Sequence, residues 1–115
     1  MKITIGDDEA EAIFGVGTLA AYEEEFGRDL IQDLFGKVRV EDPDKQGDDV
    51  LYTIDYTQTN WTALLRATWA GVSVADPATP PFKEWAKGIG EINLNELMNQ
   101  VVPVCIRQFF RPQGR

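Results

Sequence analysis

The sequence predicts a mainly α (α+β) fold: a small single-domain bundle in which an N-terminal β-hairpin is followed by about four to five helices. Three observations carry this expectation. The 115 residues suffice for one hydrophobic core but not for a second independent unit. Residues 2–5, Lys-Ile-Thr-Ile, alternate polar and apolar ahead of the turn-forming Gly6-Asp7-Asp8. Several later stretches instead repeat apolar residues at helical spacing.

In chain order, residues 1–16 read as the hairpin, with residues 10–14 returning as its second strand, and residues 17–110 as the helical part. Leu19, Tyr22 and Phe26 share one face of a first helix over residues 18–26, while Glu23, Glu24 and Glu25 mostly face outward. Gly27 supplies a left-handed end, and Asp29 with Gln32 three residues on forms a capping-box pattern. The next helix buries Leu30, Ile31, Leu34 and Phe35 and stops at Gly36. Residues 37–49 are polar and acidic and read as a mobile surface loop, interrupted at most by a short strand at Val38 and Val40. Trp61, Leu64, Leu65, Thr68, Trp69 and Val72 then define a helix over residues 57–72 at the centre of the core, with Thr62 and Arg66 opposite.

Asp76-Pro77-Ala78-Thr79-Pro80-Pro81 breaks that helix, and Pro80 or Pro81 opens a short one whose Phe82, Trp85 and Ile89 point the same way before Gly88 and Gly90 close it. Asn93 and Glu96 mark the start of a last helix with Leu94, Leu97, Met98, Val101, Cys105 and Phe109 on one stripe. Pro103 in its middle predicts a kink or a break. Val102, Val104, Ile106 and Phe110 widen the apolar arc, so either the core wraps around this helix or one face meets a partner. Residues 111–115 read as a frayed tail.

The chemistry-bearing residues are few. With no histidine, imidazole triads and imidazole metal sites are excluded, and no cofactor or metal set is expected. Cys105 on an apolar stripe reads as a small core residue, and a single cysteine allows no internal disulfide. Residues 42–53 open like an EF-hand loop but place Pro43 second and Thr53 where the bidentate glutamate belongs. Glu23, Glu24 and Glu25 spread over about 200° of a helix and do not converge for acid–base work. Gly15-Val16-Gly17 lacks the third glycine of a nucleotide loop, and Trp61, Trp69 and Trp85 lack the basic groove of a nucleic-acid stacking platform. The formal charge of −8, from 19 acids against 11 bases, disfavours nucleic acid and anionic membranes as partners. The N-terminal residues lack the apolar run of a signal peptide and no long apolar stretch follows, so the expectation is a soluble, cytoplasmic, non-enzymatic protein.

Three segments in order resemble the tail assembly chaperones of long-tailed bacteriophages, from phages and prophages of Gram-positive bacteria. The first is Phe14-Gly15-Val16-Gly17 running into Tyr22-Glu23-Glu24-Glu25-Phe26-Gly27-Arg28-Asp29-Leu30, similar to the family's hairpin, helix and tyrosine–phenylalanine–glycine joint. The second is Ile54-Asp55-Tyr56 before an Ala/Leu/Trp-rich helix, and the third is Pro81-Phe82-Lys83-Glu84-Trp85 followed by Asn93-Leu94-Asn95-Glu96-Leu97-Met98 and the proline-interrupted helix. Departures are the extended acidic loop, the proline-rich connector at residues 78–81 and the Trp-rich central helix.

The resemblance implies a non-enzymatic protein of the host bacterial cytoplasm that binds the tape measure protein and keeps it soluble while tail tube protein polymerises around it. Such a protein is absent from the mature virion. It implies no catalytic residue. The surplus apolar arc nominates Val102, Ile106, Phe109 and Phe110 for binding a partner or for homo-oligomer formation. Two alternatives stand beside it: a structural tail or connector (tail completion) component retained in the virion, and an acidic DNA-mimic inhibitor, which the charge allows but the clustering of acids in one loop and one helical turn disfavours.

Overall fold

The computed structural model describes residues 1–35, 38–40, 52–54 and 60–109. Strands β1 (Lys2–Ile5) and β2 (Asp8–Glu11) form an antiparallel hairpin in which Ile5 pairs with Asp8 and Lys2 with Glu11. Only Gly6 and Asp7 lie between them, and Gly6 takes φ +62° at the first turn position, where a non-glycine side chain would be strained. This tight turn brings the return strand forward from the expected residues 10–14 to Asp8–Glu11. Ala12 and Phe14 keep the apolar alternation and are buried; Ala12 still exchanges backbone bonds with Met1, but beyond it the chain leaves the hairpin, and the Ile13 N–H donates to Gly71 O at 3.0 Å.

Helix α1 (Val16–Phe26) starts two residues earlier than expected, because the buried Thr18 hydroxyl accepts from the Gly15 N–H at 3.0 Å and donates to the Ile13 carbonyl. It ends as expected at Gly27, with φ +65° and its N–H on Glu23 O at 2.7 Å. The Asp29 carboxylate accepts from the Gln32 N–H at 3.1 Å and opens α2 (Leu30–Phe35), in which Leu30 and Phe35 are buried and Ile31 and Leu34 half-buried. A second antiparallel pair follows, β3 (Val38–Val40) with β4 (Tyr52–Ile54), Val38 opposite Ile54. The expected short strand within residues 37–49 is therefore present and paired. The rest of that acidic segment, Gly36 and the tail at 111–115 lie outside the described residues.

Helix α3 (Trp61–Ala75) is capped by Asn60, whose side chain accepts from the Ala63 N–H at 3.0 Å. This cap sets the start later than residue 57, and the helix runs three residues past Val72. Ala63, Leu64, Ala67, Thr68, Trp69, Ala70, Gly71 and Val72 are all buried, and α3 meets α1, α2, β2 and the two helices that follow it. Helix α4 (Phe82–Gly88) begins after Pro81, which serves as its N-cap instead of its first helical residue; none of its residues is fully buried. Helix α5 (Leu94–Phe109) is capped by Asn93, whose side chain accepts from the Glu96 N–H at 3.1 Å.

Pro103 does not break α5, which is continuous from Leu94 to Phe109. Pro103 and Asn99, whose carbonyl loses its helical donor, are both on the exposed face, open to solvent. Nor is α5 apolar all round. Leu97, Met98, Val101, Val102 and Cys105 form its buried stripe, whereas Asn95, Glu96, Asn99, Pro103 and Arg107 face solvent. Among the described residues the fold is thus an N-terminal hairpin, a second short strand pair and five helices, with one core in which Ile3, Tyr22, Leu30, Leu64, Leu97 and Val101 are essentially inaccessible.

Candidate functional site

Aromatic residues of α1, α3 and α4 meet at a joint. Tyr22 and Phe26, one helical turn apart on α1, pack edge to face with ring centroids 4.8 Å apart. Phe26 is also edge-on to Trp69 of α3 at 5.6 Å and to Phe82 of α4 at 5.2 Å, and Phe82 lies 6.1 Å from Trp85. Such pairs add about 0.5–1.5 kcal/mol each beyond area burial. The connector is tied down by hydrogen bonds: Trp69 Nε1 donates to Pro80 O at 2.8 Å, and the Phe82 N–H to Glu25 Oε2 at 2.9 Å. Glu25 is therefore more than part of a solvated acidic face; it holds the first turn of α4.

The polar rim of the joint is a hydrogen-bonded cluster between α1 and α2. Tyr22 donates its hydroxyl to Asp33 Oδ2 at 2.8 Å, and Arg28 clamps the same carboxylate through Nε and Nη2 at 2.8–3.0 Å. The Arg28 hydrogen bonds hold the Asp33 carboxyl below its ordinary range, and burial followed by the bond to Asp33 pushes the Tyr22 phenol up. Arg66 does not sit opposite the core as its helical position implied. Its guanidinium carbon lies 5.2 Å from the Phe26 ring centroid, a cation–π contact that lets a half-buried arginine stay on a helix otherwise surrounded by apolar neighbours.

The four residues nominated for partner binding are not equivalent. Val102 is 5% exposed and belongs to the core, while Ile106 and Phe109 are half-buried and pack against it. Phe110 lies outside the described residues. The wider apolar arc is thus accounted for largely by the core, leaving Ile106 and Phe109 as the members of the set with accessible surface. Elsewhere among the described residues, Met1 and, at the link from β2 to α1, Ile13 and Val16 are exposed apolar side chains.

Chemistry-bearing groups are sparse. Burial pushes the Cys105 thiol up to about 12, so it stays protonated and unreactive at neutral pH. Among the described residues, no three Asp, Glu or Cys side chains are grouped to hold a metal ion. An open cleft of about 590 Å³ between the hairpin turn and the start of α5 is lined by Thr4, Asp7, Glu91, Asn93 and Glu96. Its three carboxylates have no basic group beside them, so it offers negative potential and no acid–base pair. No described helix is long and apolar enough to cross a membrane.

One arrangement carried no sequence signal. The Gln100 carboxamide on α5 accepts from the Thr4 N–H at 2.8 Å and donates to Thr4 O at 3.0 Å, taking the place of a neighbouring strand along β1. Alternation places Thr4 outward, but nothing in the local pattern of α5 marks Gln100 as its partner. Compared with protein-family models, with curated proteins and with solved structures, the chain has no match.

Proposed function

We propose that this protein is a non-enzymatic tail assembly chaperone of a long-tailed bacteriophage. In this reading it acts in the host bacterial cytoplasm, binds the tape measure protein, keeps it soluble while tail tube protein assembles around it, and does not remain in the virion. The observation that carries the reading is the order of the three resembling segments. It is supported by the packing of the first and third segments in one hairpin-and-helices domain, with Tyr22, Phe26 and Phe82 at the shared joint. A tape measure protein is a long chain with apolar helical stripes, and an acidic domain with accessible Ile106 and Phe109 offers it an apolar contact while its charge of −8 maintains solubility.

The test is co-expression with the long reading frame encoded downstream. The expected result is that the downstream product becomes soluble and co-purifies, and that Ile106→Asp with Phe109→Asp abolishes the complex while the variant alone keeps its helical circular dichroism. A folded wild-type protein that leaves its neighbour insoluble defeats the reading. Its recovery by mass spectrometry from purified virions would instead identify a structural tail component. Inhibition of a host nuclease would identify a DNA mimic.

A further inference from the structure

The two edges of the N-terminal hairpin are finished differently. In a hairpin with a two-residue turn, hydrogen-bonded pairs alternate with pairs whose backbone groups point away from the partner strand. Ile5 with Asp8 and Ile3 with Ala10 are the inward pairs. The alternation continues into Met1 with Ala12, whose reciprocal bonds measure 2.8 and 2.9 Å. Thr4 therefore points its N–H and C=O away from β2, and both are taken by Gln100. On β2 the outward residues are Glu9 and Glu11, which are exposed and whose backbone groups have no hydrogen-bond partner among the described residues. Ile13, next in the same phase, spends its N–H on Gly71 O, so the open edge runs only from the turn to Glu11.

We propose that this edge of β2 docks a short extended segment of another protein carrying Lys or Arg at alternate positions. Charge complementarity selects the occupant. Every antiparallel register that joins two copies through Glu9 and Glu11 sets glutamate directly opposite glutamate, an arrangement that destabilises a strand pair. Self-pairing is thereby blocked, while basic residues at the same positions are attracted. Lys2, opposite Glu11, and the Met1 nitrogen, 3.4 Å from Glu11 Oε2, offset part of the charge at one end, leaving Glu9 with Asp7 and Asp8 as the dominant negative site. Between its basic residues the segment needs a small side chain, because Ala10, on the opposite face of β2, is half-buried against the core. The Gly71 contact and the hairpin turn limit the docked stretch to about three or four residues. This inference is independent of the tape measure reading, which invokes a helix on α5.

The experiment titrates the ¹⁵N-labelled full chain with a blocked Lys-Ala-Lys-Ala-Lys peptide, its Glu-Ala-Glu-Ala-Glu counterpart, and a lysine peptide N-methylated at alternate residues to remove its donors. The expected result is slowed amide exchange and shifted signals at Glu9 and Glu11 with the lysine peptide alone, weakening about tenfold or more between low and high salt. Glu9→Lys with Glu11→Lys should transfer binding to the acidic peptide. Glu9→Lys alone makes the edge self-complementary, the introduced lysine facing a second copy's Glu11, and should raise self-association in sedimentation. Equal shifts at Glu23, Glu24 and Glu25, or binding undiminished by N-methylation, would reduce the contact to general electrostatics and overturn the proposal. So would a folded Glu9→Lys variant with unchanged sedimentation and unchanged peptide preference.

Discussion

Helices α3 and α5 carry comparable numbers of apolar residues, yet α3 is the centre of the core, as its pattern implies, whereas α5, with the wider apolar arc, is not. Helix α3, which shows one regular stripe, is enclosed by α1, α2, α4, α5 and β2. Helix α5, whose apolar residues spread beyond a stripe, keeps a continuous polar face from Glu96 through Asn99 and Pro103 to Arg107. The difference lies in residue size. Ala63, Ala67, Ala70 and Gly71, within about 100° of one side of α3, let neighbouring elements approach it closely there, whereas the surplus valine and isoleucine of α5 only broaden one interface. Small residues, more than the number of apolar ones, mark a helix side that neighbours approach closely.

Replacing one residue on each helix by alanine should therefore give effects of opposite sign. A Cβ on Gly71 would stand 2.7 Å from the Phe14 ring, which is itself buried and has little room to retreat. Gly71→Ala is expected to cost about 1–3 kcal/mol through overpacking, against a helix-propensity gain of up to about 1 kcal/mol. Pro103→Ala restores a backbone donor on an exposed face and should stabilise by about 1–3 kcal/mol. Urea denaturation of the two variants checks both signs. A stabilising Gly71→Ala would mean that α3 is less tightly enclosed than its contacts indicate.

Acid and alkali act on the α3 side of the comparison. Asp33 has its pKa depressed by Arg28, so its contribution is fully present above its unfolded value of about 3.8 and is lost as pH falls through the lower folded value. Tyr22 has its pKa raised, so its contribution is present below its unfolded value of about 10 and is lost as pH rises beyond that. Asp33→Asn should cost about 1–2 kcal/mol at neutral pH by weakening the Arg28 and Tyr22 hydrogen bonds, and should flatten the acid limb below about pH 4. Stability measured by denaturant at stepped pH decides this; an unchanged acid limb in the variant would assign acid sensitivity to other carboxylates.

What was legible in the sequence was local. The Ile3 and Ile5 alternation, the left-handed Gly27 and the caps at Asp29 and Asn93 each depend on a few neighbouring residues, and each is found in place. The second strand was misplaced because Ala10, Ala12 and Phe14 keep one alternation while changing partners: Ala10 pairs with β1, whereas Phe14 packs on Gly71. Periodicity reports that a residue is buried but not what buries it. The same limit explains Val102, whose place beside the main stripe fits either a wider core contact or a second face, and Arg66, whose outward phase is overridden by the Phe26 ring. Gln100 on Thr4 joins residues 96 positions apart, a distance over which no short-range pattern carries information.

The last expected effect is the smallest and should erase the contrast. Asn60 and Asn93 make the same bond, each side chain accepting from the backbone N–H three residues on, at 3.0 and 3.1 Å, and both are exposed. A cap satisfies a donor at the helix end and does not depend on what packs along the sides, so Asn60→Ala and Asn93→Ala should each cost about 1 kcal/mol. Thermal unfolding of the two variants compares them directly. Equal losses mean that α3 and α5 differ only through lateral packing. A much larger loss for Asn60→Ala would mean that the enclosed helix depends on its first turn to position Trp61 and Leu64 against their neighbours, and that enclosure and capping are coupled in α3.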